Sequence, residues 1–134
     1  MKVQHFSRVW LVILAAWLMT LETVAQENSG FHYQAVARNG SSEILAQQEL
    51  TIRIGILDPD GMELWVEEHP VVTGNLGIFD LDIGLDPEKR VAGSAQEFSD
   101  IDWSIPGYLL NVQVKEQGGS FTDLGSSPIL AVPY

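Results

Sequence analysis

ELTIRIGIL, residues 49 to 57, alternates Leu50, Ile52, Ile54 and Ile56 with Thr51, Arg53 and Gly55. Neighbouring side chains of an extended strand point to opposite faces, whereas a helix repeats its apolar face every three or four residues. The stretch therefore predicts a strand with one face in a core and the other toward water. Three isoleucines at inward positions suit that state, because branching at Cβ stiffens the side chain and packs well on a pleated surface. Asp58-Pro59-Asp60-Gly61 follows as a turn, with proline presetting φ and glycine supplying a positive φ.

The same period extends in both directions. FHYQAVAR (residues 31–38) sets Phe31, Tyr33, Ala35 and Ala37 against His32, Gln34, Val36 and Arg38, and Asn39-Gly40 signals a turn. In MELWVEEH (62–69), alternation sends Met62, Leu64 and Val66 inward and Glu63, Trp65, Glu67 and His69 outward. GIFDLDIG (77–84) turns Phe79, Leu81 and Ile83 inward and Asp80 and Asp82 outward. Residues 85–100 lose the pattern and predict a long loop with at most a short helical turn. YLLNVQVKE (108–116) restores it, Gln117-Gly118-Gly119-Ser120 is a further turn, and FTDLG and GSSPILAVPY finish the chain. About seven short strands with almost no helical period predict an all-β, antiparallel β-sandwich, immunoglobulin-like or prealbumin-like. Pro128 and Pro133 cannot donate to a ladder, so the last strand belongs at an edge, with Ile129, Leu130 and Val132 docking on the sandwich.

The N-terminus has a different logic. Lys2 and Arg8 precede VWLVILAAWLMTL (9–21), and Thr23 and Ala25 then supply small residues before a cut between Ala25 and Gln26. Basic start, short apolar run and small-residue exit form a signal-peptide pattern, and the run is shorter than the roughly 20 residues of a membrane span. Residues 1–25 are thus expected to be a signal-peptide helix and 26–134 one domain. The domain would be extracellular, at the cell surface or periplasmic, with no stable membrane span after cleavage. The chain has no cysteine, so no disulfide and no lipidated cysteine supports it, and core burial must suffice. Removing Lys2, Arg8 and Glu22 with the leader leaves five basic and seventeen acidic residues, a net charge of −12. That surface repels phosphate backbones and disfavours nucleic acid as a partner.

Candidate chemistry is sparse. Asp58, Asp60 and Glu63 resemble the opening of a calcium loop, but the twelfth position, where a bidentate acid belongs, is His69. The turn alone accounts for these residues, and no cofactor is expected beyond this weak calcium motif. Asp80 and Asp82 share a strand face about 7 Å apart, from a rise of about 3.3 Å per residue. Glycosidases take their carboxyl pair from different elements around a cleft, so two outward acids on one strand read as a wet face. Only His32 and His69 follow the cut, and no nucleophile elbow, zinc spacing or phosphate loop accompanies them. Catalytic residues are therefore not expected. Trp65 on the outward face, beside Glu67 and His69, is the candidate binding group. An exposed indole stacks on sugar rings or anchors protein contacts, unless the 85–100 loop covers it. Trp103 is expected to plug one end of the core.

Taken in order, FHYQAVARNG, ILAQQELTIRIGIL, LWVEEHPVVTGNLGIFDLDIG, IDWSIPGYLLNVQV, DLGSSPIL and AVPY resemble a family of secreted β-sandwich modules of Bacteroidetes. Such modules stand at the N-terminal end of tail-fibre-like or adhesin-like surface proteins. The resemblance spans residues 31–134. It implies a non-catalytic structural or adhesive module whose partner is a protein or surface glycan. Longer relatives continue after the VPY-like ending into a stalk or trimerising region, which would place Tyr134 at a domain boundary. A carbohydrate-binding sandwich using Trp65 is the alternative reading.

Overall fold

A computed structural model describes residues 30–130. The expected signal peptide, its expected cut between Ala25 and Gln26, and the ending at Val132, Pro133 and Tyr134 lie outside the described residues. Seven strands form two antiparallel sheets: β1 (Phe31–Val36), β2 (Glu49–Leu57), β3 (Glu63–Val72), β4 (Ile78–Ile83), β5 (Arg90–Ala92), β6 (Leu109–Glu116) and β7 (Thr122–Pro128). The large sheet has the order β5-β3-β2-β6-β7, and the small one pairs only β1 with β4. The stretch ELTIRIGIL is β2 at the centre of the large sheet, where Ile52, Ile54 and Ile56 are fully buried.

The two sheets share one core. Leu50, Ile52, Ile54 and Ile56 of β2 and Leu110, Val112 and Val114 of β6 belong to one cluster with Phe79, Leu81 and Ile83 of β4. Partly buried Phe31, Tyr33 and Ala35 of β1 pack against the same cluster. Asp80 and Asp82 stay on the solvent face, as alternation predicts, and His32 Nδ1 donates to Asp82 Oδ1 across the strands at 3.0 Å. Cross-strand partners of this kind are the unit by which sheets gain stability.

The 85–100 segment holds more structure than the lost period suggests. It contains two 3-10 turns, Pro87–Lys89 and Phe98–Asp100, with the short edge strand β5 between them. Phe98 enters the core from the second turn. Trp103 is partly buried and packs against the core, 5.4 Å from Tyr108, 5.6 Å from Phe98 and 6.3 Å from Phe31, ring centre to ring centre.

β7 is an edge strand, as Pro128 demands. Pro128 pairs with Leu109 at the rim of the large sheet, and Ile129 N donates to Tyr108 O at 2.8 Å. Ile129 packs on the core, but Leu130 is 84% exposed and does not dock, contrary to the expectation for this segment. Its chain has already left the ladder, so nothing holds that side chain against the sheet. Among the described residues no helix is long and apolar enough to cross a membrane.

Candidate functional site

Trp65, Glu67 and His69 share one face of β3, but it is the inner face. Trp65 is 1% exposed and Glu67 is 0% exposed. The outward placement expected from alternation is therefore overturned for all three. The reason is a bulge at the start of β3. Ile56 faces Trp65 while Leu57 faces Glu63, so Leu64 is an extra residue and the strand's phase flips beyond it. Loop amides fix the bulge: Ser94 N donates to Glu63 O at 3.1 Å and Ala95 N to Leu64 O at 2.9 Å. Gly93 lets that loop approach, since a Cβ there would lie 2.4 Å from Leu64 O.

Burying a carboxylate is costly unless both of its oxygens are hydrogen-bonded. Glu67 meets that condition. Its Oε1 accepts from Trp65 Nε1 and from the Gly84 amide, both at 2.7 Å, and its Oε2 accepts from His69 Nε2 at 2.6 Å. The Gly84 bond crosses from the large sheet to the residue that ends the β4 run, so the trio clasps the two sheets together. Gly84 has φ +80, and a Cβ there would lie 2.4 Å from the Phe98 ring. Phe98 in turn meets the Trp65 indole edge-on at 5.5 Å, and the Arg90 guanidinium sits 5.5 Å from the indole centre. Trp65 is thus covered by the 85–100 segment, and it offers no free ring to a sugar.

The calcium motif is engaged otherwise. Asp58 Oδ1 accepts from the amides of Asp60 at 2.9 Å and Met62 at 2.8 Å, which is an aspartate building its own turn. Asp60 and Glu63 are exposed, and among the described residues no three His, Asp or Glu side chains converge to hold a metal ion. A third polar pin escaped the sequence reading. Thr73 is buried, its hydroxyl donates to Leu45 O at 2.6 Å and it accepts from Gln48 N at 3.0 Å. A threonine directly before a Gly-Asn turn is the only sequence signal for it.

No known protein family, curated protein or solved structure matches the chain. The geometry must therefore speak for itself. The open surface includes a groove of about 520 Å³ lined by Thr51, Pro70, Val72, Lys115 and Gln117. A smaller cleft of about 220 Å³ lies between β1 and β7. Near one end of the molecule, hydrogen bonds from the Ser104 hydroxyl and amide hold the Asp102 carboxyl below its usual range. Burial, together with the charges of Asp102 and Asp58, raises the Tyr108 phenol. Burial alone raises that of Tyr33.

Proposed function

We propose that the chain is a non-catalytic structural or interaction module, exported to the cell surface or envelope and built as a β-sandwich of the immunoglobulin-like or prealbumin-like kind. The observation that carries this reading is the use made of Glu67. It is the one wholly buried carboxylate among the described residues, and its oxygens are committed to Trp65, Gly84 and His69. The groups that chemistry or sugar stacking would need are spent on joining two sheets. Asp58 is likewise spent on its turn. The leader-like N-terminus supports export, and without cysteine the domain must be held by its core.

The test is to express the full chain in a Gram-negative host and identify its N-terminus and compartment. The proposal expects a product beginning at Gln26, outside the cytoplasm, and cytoplasmic retention when residues 2–25 are deleted. An unprocessed product retained inside the cell would overturn it.

A further inference from the structure

The small sheet has an open edge among the described residues. Among the described residues, β1 pairs with β4 on one side and with no strand on the other. Ala37 N donates to Gly77 O at 2.8 Å, one rung beyond the β1–β4 pairing. By the alternation of an antiparallel ladder, Phe31, Tyr33 and Ala35 exchange bonds with β4. The backbone groups of His32, Gln34 and Val36 then point away from β4. Beside this edge lies the cleft lined by Tyr33, Ala35, Val36, Phe79, Val112 and Leu124. On the outer face, Val36 and Ile78 form a cross-strand pair, 38% and 39% exposed.

Sheet proteins blunt their edges with short strands, bulges, prolines or charges. Three of the four edges here are blunted. β5 has three residues, and β7 carries Asp123, Pro128 and an irregular register opposite Asn111 and Gln113. β4 carries Asp80 and Asp82. β1, FHYQAV, has no acid, lysine or proline, and in a chain of net charge −11 it is a neutral strand.

We infer that β1 is a homodimerisation edge, pairing antiparallel with β1 of a second copy about a two-fold axis at Gln34. In that register Gln34 faces Gln34 and His32 faces Val36 of the second copy, each pair exchanging both backbone hydrogen bonds. The result is one continuous four-stranded sheet, and Tyr33 and Ala35 of each copy cover the other's cleft. Charge placement selects this edge. Asp80 lies on the far strand, so the two copies of it stand three strand spacings apart, about 14 Å. That exceeds the Debye length of about 8 Å at physiological ionic strength. Pairing through β4 about a two-fold at the corresponding position would instead set Asp80 directly opposite Asp80, which destabilises. The inference goes beyond the proposed function and does not depend on the compartment.

The experiment is sedimentation velocity on the protein as recovered from its host, from micromolar to near-millimolar concentration. The wild type is expected to shift from monomer to dimer. Gln34→Pro and Val36→Lys are expected to remain monomeric with circular dichroism and melting midpoints close to wild type. Proline at 34 removes an amide that points away from β4, so the native ladder survives. The chain has no cysteine, so a single Gln34→Cys supplies a register test. A directly opposed pair stands about 5.5 Å apart, Cα to Cα, within disulfide reach. Gln34→Cys should therefore oxidise to a covalent dimer, and Val36→Cys alone should not. A wild type that stays monomeric throughout overturns the inference. So does a dimer that survives both edge variants, or one that is trapped at position 36 and not at 34.

Discussion

Replacing Glu67 by leucine keeps the volume of the side chain but removes the acceptor that three donors share. An imidazole can carry its proton on either ring nitrogen, so His69 Nε2 need not remain an unpaired donor when Glu67 is gone. Trp65 Nε1 and the Gly84 amide have no such freedom: one is fixed by the packed indole, the other by the backbone. Two buried donors left without acceptors cost about 2 kcal/mol each, so the substitution should cost about 4 kcal/mol. Domains of this size have about 5–15 kcal/mol in total, and each kcal/mol moves the midpoint by about 4–8 °C. The expected fall is therefore about 15–30 °C in melting temperature. Glu67→Gln should cost far less, about 1–2 kcal/mol, since its amide oxygen still accepts from Trp65 and Gly84. Urea denaturation followed by circular dichroism gives both values. If the leucine variant lies within about 1 kcal/mol of wild type, or if glutamine costs as much as leucine, the clasp does not act as described.

Further expectations concern the groups around it. Gly84→Ala should destabilise by about 2–4 kcal/mol in the same assay, because φ is +80 and the added carbon meets Phe98. Asp58→Ala should cost about 1 kcal/mol through its two lost turn bonds, Asp58→Asn should be near neutral, and wild-type melts in calcium and in chelator should coincide. Tyr33 and Tyr108 have phenols raised above 10.0 in the folded state, so the unfolded chain loses those protons first. Stability is then full below pH 10 and falls as pH rises toward the folded values, and Tyr108→Phe should flatten that fall in urea midpoints measured on both sides of it.

Where one phase of alternation held all the apolar residues, the sequence was readable. β2 and β4 face the way their isoleucines, leucines and phenylalanine dictate, and β1 presents His32 and Gln34 to water as expected. β3 was not readable in this way. Leu64, Trp65 and Val66 are consecutive, so apolar residues stand on both phases, and the acids seemed to settle the choice. The bulge at Leu64 is made by loop amides from Ser94 and Ala95, thirty residues downstream, which no local pattern carries. The trio did leave a trace. Trp65, Glu67 and His69 recur at every second position, so their being on one face was legible. That the face was buried depended on the three side chains satisfying one another. β5 was hidden for a related reason: a three-residue edge strand is too short to display a period.

The small sheet also bears on how the chain folds. β2 with β3 and β6 with β7 are hairpins closed by short turns, whereas β1 and β4 are neighbours in space that lie far apart in sequence. Closing a long loop before its contacts reward it is slow. The two hairpins are thus placed to form first, while the β2–β6 seam that joins them and the β1–β4 pair both wait on long-range closure. With one pairing partner in a two-stranded sheet, β1 is placed to be first to leave. Amide exchange should show the β1–β4 rungs opening at lower free energy than those of β2, as a separate cooperative unit. The Glu67–Gly84 bond then has a kinetic role as well: it is the latch that closes when the late strand pair has docked.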